Sequence, residues 1–186
     1  MTTIVGIQGK DFVVMAADSQ ITLDSQRIIS PKTPKLVRVG KYILGIAGDS
    51  RPGDILTFNW NPPAYKSGDE VQFMGKTIIP SMMEAFRMNG FDLEGIDKKE
   101  ISFEYLLAFN GKLFSIGEDM SFLCSESGYY TTGSGGSFAL GYLESVDPKK
   151  IKSVQAATMI AKKAMAIACK LDIKTYPPIQ VITQTK

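Results

Sequence analysis

Strand-forming runs in this chain come in groups instead of alternating singly with helices, and that grouping constrains the fold most. Residues 3–7 form a short run rich in β-branched side chains, residues 8–11 a turn, and residues 12–17 an apolar run of strand length. Residues 21–23 and 27–30 read as two short strands about an Asp24-Ser25-Gln26 turn, and Pro31 and Pro34 bracket a loop. Residues 35–39 alternate in polarity, and Gly40-Lys41 turns the chain into a buried strand at 42–47.

The middle of the chain changes period. Residues 50–58 predict a short helix capped by Asp49 or Ser50. A second helix starts at Ser67-Gly68-Asp69-Glu70, with its acids in the first turn, and runs to Met88; Pro80 is expected to kink or break it, and Asn89-Gly90 stops it. Strands then return at 103–109 and 113–116 around Asn110-Gly111-Lys112, a hairpin signal, and again at 121–124 and 129–132. A helix over 138–144 follows. Over 148–171, Ile151, Val154, Ala157, Ala161, Ala164, Met165 and Ala168 make one apolar stripe, used for the core and in part for subunit contacts. Residues 179–183 are a last strand. The order is that of an α+β domain with helices outside two sheets, in one unit spanning 1–186.

The chain has 186 residues and no histidine. Ser-His-Asp and Cys-His chemistry and histidine-ligated metal are therefore excluded. Acid–base work falls to carboxylates, lysines, tyrosines, cysteines or the α-amine. A net charge of +2 gives no reason to expect nucleic acid or an anionic membrane as partner. The longest apolar stretch, 156–169, is interrupted by Lys162 and Lys163, and the N-terminus carries no targeting pattern. Cys124 and Cys169 read as reduced, buried thiols of a cytoplasmic protein.

Thr2 becomes N-terminal if Met1 is removed, which its small size favours. The free α-amine has a pKa of about 7.7–8.0, so roughly a tenth is neutral at pH 7. One residue then supplies both nucleophile and base, with no histidine. Thr2 opens directly into a strand (Thr3-Ile4-Val5-Gly6-Ile7). Further on come Ala16-Ala17-Asp18, Lys35-Leu36, Gly45-Ile46-Ala47-Gly48-Asp49 and Thr132-Gly133-Ser134-Gly135-Gly136. In this order, over nearly the whole chain, these segments resemble the β-type subunits of proteasomes and the bacterial HslV-type peptidase.

The resemblance implies a four-layer αββα sandwich of the N-terminal nucleophile hydrolase type. It implies a threonine endopeptidase, a hydrolase that needs no metal or organic cofactor. Thr2 matches the nucleophile and Asp18 the carboxylate orienting a catalytic lysine. That lysine is Lys35, with Lys32 as competitor because one residue is inserted ahead of it. Gly45 matches the oxyanion donor. Ser134, Asp172 and Thr175 match the groups around the α-amine, the last being more often serine in the family. Gln20, Thr22 and Ala47 match the substrate-pocket positions. The family works as homo-oligomeric stacked rings, hexameric or heptameric, enclosing the sites and fed unfolded protein by a separate ATPase unfoldase. Two other readings stay open: a non-catalytic ring subunit, and an N-terminal nucleophile amidohydrolase acting on a small amide.

Overall fold

Strands β1 (Thr3–Gln8) and β2 (Phe12–Ala17) are apolar on both faces, and each face meets a different layer. Val5, Ile7, Val14 and Ala16 point one way, against helices. Ile4, Val13, Met15 and Ala17 point the other way, into a second sheet. A pleat of period two, buried on both sides, produces this division. The protein is represented by a computed structural model that describes residues 2–23, 26–29, 32, 34–91, 102–124, 127–147 and 151–186.

The first sheet is antiparallel in the order β10-β1-β2-β11, with β10 at Tyr129–Gly133 and β11 at Gln180–Thr185. The second is β5-β6-β7-β8-β9, made of Leu36–Val39, Tyr42–Gly48, Phe103–Phe109, Lys112–Ile116 and Phe122–Cys124. A separate hairpin pairs β3 (Gln20–Leu23) with β4 (Gln26–Ile29). Helices α4 (Gly136–Glu144) and α5 (Val154–Leu171) cover the outer face of the first sheet. Helices α1 (Ser50–Phe58), α2 (Glu70–Phe73) and α3 (Ile79–Met88) cover that of the second. The result is the αββα sandwich. Ala157, Ala161, Ala164, Met165 and Ala168 of the α5 stripe are buried in the core against β1 and β2.

Three local expectations change. Pro80 neither breaks nor ends its helix: a π-helical turn at Met74–Ile78 links α2 to α3, leaving Pro80 in the first turn of α3. The helical run is continuous there, with Ile79 N donating to Met74 O five residues back, and this wider turn accommodates the missing Pro80 N–H. The long helix begins at Val154, capped by Ser153 Oγ accepting from Ala156 N at 3.1 Å. Ile151 and Lys152 precede it, and residues 148–150 lie outside the described residues, as do Asp24, Ser25, Ser30 and Pro31. Cys124 is exposed and Cys169 half-buried, not both buried, and both are free thiols. By contrast the Asn110-Gly111 turn forms as expected, with φ of 49° and 73°.

Tyr105 on β7 is fully buried beside Phe103, their ring centroids 5.2 Å apart, and burial drives its phenol pKa far up. Its hydroxyl has no hydrogen-bond partner among the described residues. Tyr105→Phe keeps the ring and deletes an unpaired polar group, so it is expected to stabilise the protein by about 1 kcal/mol. The check is the urea midpoint at unchanged m-value. A midpoint below the parent's would mean that the hydroxyl has a partner after all.

Candidate active site

At the end of the sandwich where β1 begins, one buried carboxylate collects four donors. Asp18, directly after β2, is 1% exposed. Its Oδ1 accepts from Thr3 N at 2.9 Å and from Lys35 Nζ at 2.8 Å. Its Oδ2 accepts from Gln20 N at 2.9 Å and Tyr176 N at 3.3 Å. The backbone closes the same corner, since Asp18 N donates to Thr3 O at 3.2 Å. The lysine facing Asp18 is Lys35, which is buried; Lys32 is exposed. Burial lowers the Lys35 pKa below its ordinary value, although Asp18 pulls it back up. The ammonium is thus held near the start of β1 in a form that gives up its proton more readily than a surface lysine.

A second carboxylate serves the other side. Asp172 follows α5, and its Oδ2 accepts from Ser134 Oγ at 2.7 Å and Thr175 Oγ1 at 2.6 Å. Its Oδ1 accepts from Lys174 N at 3.1 Å. Partial burial pushes this carboxyl pKa up, but the hydrogen bonds from Thr175, Ser134 and Lys174 outweigh it and hold the group below the usual carboxylate range. Ser134 Oγ also lies 3.4 Å from the carbonyl oxygen of Thr2. Thr2 itself is buried, 6% exposed, immediately before β1. Thr2, Asp18, Lys35, Ser134, Asp172 and Thr175, scattered over the chain, therefore converge.

Gly45 does not join them. Asp49 N donates to Ser102 O and Ile46 N to Lys35 O. In the unbroken β6–β7 register these two bonds direct the Gly45 N–H at Leu106, into the sheet. A Cβ on Gly45 would lie 2.7 Å from Met15 Cε and 3.0 Å from Ile4 Cγ2. Its absence is what lets the two sheets approach here. The next amide on the β5 side of the strand is that of exposed Gly48 (φ 95°), beyond the Lys35 end of β5.

Gln20 is also turned inward: it is 2% exposed, with Nε2 donating to Thr22 Oγ1 at 3.2 Å and Ile173 O at 3.3 Å. Ala47 is buried in the inter-sheet core and Thr22 is half-buried. An open groove of about 930 Å³ lies at the opposite end of the sheets, between the β5–β6 turn and residues 60–66, and includes none of these residues.

Two participants stand in the motifs that carry the resemblance, but the sequence assigns them no role of their own. Thr3 is fully buried, and its Oγ1 accepts from Gly135 N at 3.0 Å and lies 2.5 Å from Thr175 Oγ1. Gly135 has no room for a side chain: a Cβ would sit 2.3 Å from Thr3 Oγ1 and 2.8 Å from Thr175 Oγ1.

Comparison with known proteins fits this architecture. The family described as "Proteasome subunit" matches residues 1–57. Proteasome subunit beta 2 of Pyrococcus furiosus is 30% identical over 196 residues, covering 100% of this chain and 87% of its own. Among solved structures, Thiobacillus denitrificans BPH in complex with epoxomicin superposes with a TM-score of 0.74 at 18% identity, covering 99% of this chain and 98% of that one. The eukaryotic HslV of Trypanosoma brucei gives a TM-score of 0.70 at 21% identity, with 100% of both chains covered.

The Asp172 shift has a consequence for stability. A carboxyl with a depressed pKa in the folded state contributes stability that is full above its unfolded value of 3.8 and is lost as pH falls through the folded value. Asp172→Asn is therefore expected to be less stable than the parent at pH 6, with the difference shrinking as pH falls from 4 toward 2. Urea midpoints of both proteins across that range test it. A difference that stays constant with pH would exclude a stabilising charge at Asp172.

Proposed function

This chain belongs to the proteasome β-subunit family, and from that premise we propose that it is a threonine endopeptidase whose nucleophile is the Thr2 hydroxyl and whose base is the Thr2 α-amine. One observation carries the reading: Lys35 Nζ and Thr3 N share a single oxygen of buried Asp18, which draws the ammonium to the residue next to Thr2. The non-catalytic alternative is disfavoured by cost. Burying an ammonium and a carboxylate is expensive even when they are paired; the backbone donors alone would tie the strands to Asp18, so the ammonium is the part that a scaffold does not require.

In the proposed reaction the Thr2 Oγ proton passes to the α-amine, directly or through water, and Oγ attacks the peptide carbonyl carbon. The Lys35 charge lowers the proton affinity of the hydroxyl. The developing oxyanion takes a backbone N–H from the end of β6. With Gly45 directed into the sheet, Gly48 fills that role. The protonated amine then gives its proton to the leaving nitrogen as the C–N bond breaks. Water, activated by the freed amine, hydrolyses the Thr2 ester and regenerates the site. Asp172, Ser134 and Thr175 surround the amine and set its orientation.

Stacked rings, unfolded protein as substrate and a separate ATPase carry over from the family as parts of the same proposal. Exposed apolar side chains such as Phe58, Met88, Leu123 and Met159 supply surface for subunit contacts.

Intact mass of the purified protein followed by incubation with a threonine-directed peptide epoxyketone tests the nucleophile. The expected result is loss of the Met1 mass and one adduct on Thr2. Thr2→Ala should neither label nor cleave a fluorogenic peptide, and parent-rate cleavage by that variant would end the proposal. Lys35→Ala is expected to lower kcat by at least about 10²-fold, the scale of one lost electrostatic stabiliser at the reacting atoms. Lys32→Ala, on an exposed side chain, should stay within about twofold of the parent.

A further inference from the structure

The Thr3 hydroxyl takes no part in the reaction above, yet it is engaged on every side. Thr175 Oγ1 donates its one proton to Asp172 Oδ2, so the proton in the 2.5 Å contact between Thr175 Oγ1 and Thr3 Oγ1 belongs to Thr3. A directed chain results: Gly135 N–H to Thr3 hydroxyl, Thr3 hydroxyl to Thr175 hydroxyl, Thr175 hydroxyl to the Asp172 carboxylate. Thr3 N–H meanwhile donates to Asp18. Thr3 is thus where the two carboxylate systems meet. Asp18 holds it by the backbone, and Asp172 holds it by the side chain through one relay.

We propose that Thr3 is a positioning residue: its hydroxyl locks the first residue of β1 to the Ser134-Gly135 turn and to Asp172, and thereby fixes the orientation of the Thr2 hydroxyl and amine. The inference rests on the proposed reaction. Valine has nearly the shape of threonine and would pack equally well at a buried strand position. A hydroxyl there brings a desolvation cost that only a satisfied network offsets. The network also excludes a Cβ at Gly135, which would sit 2.3 Å from the Thr3 oxygen and 3.1 Å from Asp172 Oδ2. Two adjoining residues are therefore tied to this one bond pattern.

Thr3→Val and Thr3→Ser test the assignment in the full-length assembled protein, with kcat and KM measured on a fluorogenic peptide and the rate of epoxyketone labelling at Thr2 followed in parallel. Misplacing a nucleophile slows the chemical step more than it weakens binding. Thr3→Val is therefore expected to lower kcat and the labelling rate by about 10-fold or more, with KM changed by less than about threefold. Thr3→Ser, which keeps the donor and the acceptor, should restore kcat to within about threefold of the parent.

Parent kcat in an assembled Thr3→Val protein overturns the proposal, as does a Thr3→Ser protein as slow as Thr3→Val. Should Thr3→Val not assemble, Thr175→Val cuts the same relay one hydroxyl further on, and parent kcat there overturns it equally. A parent protein that never labels at Thr2 removes the peptidase reading and this inference together. Labelling in the parent with no change in Thr3→Val removes this inference alone.

Discussion

The corner of the molecule on which the rest depends is the buried carboxylate of Asp18. It binds a strand start (Thr3), the entry to the β3 hairpin (Gln20), the loop after α5 (Tyr176) and a lysine at the start of the second sheet (Lys35). Three of these segments come from the first third of the chain, and Tyr176 is brought to them from more than 150 residues beyond Asp18. A charge removed from water is costly unless its lone pairs are filled. Here four donors fill them, three being backbone N–H groups whose positions are set by the sheets. The cost of burying Asp18 is thereby converted into a requirement that the strands, the hairpin and the loop arrive in one arrangement.

The inter-sheet core sets the height of that corner. Gly45 and Gly6 each lack a side chain where the sheets face one another: a Cβ on Gly6 would lie 2.8 Å from Leu113 Cδ2, and one on Gly45 2.7 Å from Met15 Cε. Close approach of the sheets brings Lys35, from the second sheet, within hydrogen-bond distance of Asp18, at the edge of the first. A tie between Thr132 on β10 and Glu104 on β7 crosses the same gap. Packing and electrostatics are therefore linked here, because added bulk between the sheets would lengthen the Lys35–Asp18 contact.

Much of this was legible from residue patterns, since period-two apolar runs and turn residues act locally. The β1 and β2 runs, the Asn110-Gly111 hairpin and the α5 stripe each follow from chemistry within ten residues or so. What was not legible is what depends on distant segments. Pro80 reads locally as a helix breaker, and only the π turn ahead of it shows how the helix absorbs it. Gly45 sits in a motif that suggests an exposed amide, but amide direction in a strand follows from ladder parity, which a single sequence does not reveal. Cys124 looks apolar in composition yet lies on the edge strand β9. Thr3 carries no local mark of its role, because one threonine in a β-branched run resembles any other until Gly135 and Thr175 are brought to it from more than 130 residues away.

With no histidine in the chain and the α-amine as the proposed base, a site built from backbone contacts is the expected form. An imidazole base reaches its nucleophile by rotating about two side-chain bonds, so modest backbone error can be absorbed. An α-amine has no such freedom, because its position is the position of the chain itself. A site using it must hold the first residues of the strand as tightly as an ordinary enzyme holds a side chain. The observed bonds have that form. Thr3 N and O both bond to Asp18, and Gly135 N bonds to Thr3 Oγ1. Gly133, at φ 85°, lies so close to the Thr2 carbonyl that a Cβ would come within 1.9 Å of its oxygen. Carboxylates suit this task better than neutral acceptors, since a hydrogen bond to a charged oxygen is about twice as strong. Two carboxylates, one on each side of the first strand residue, fix it against both rotation and translation.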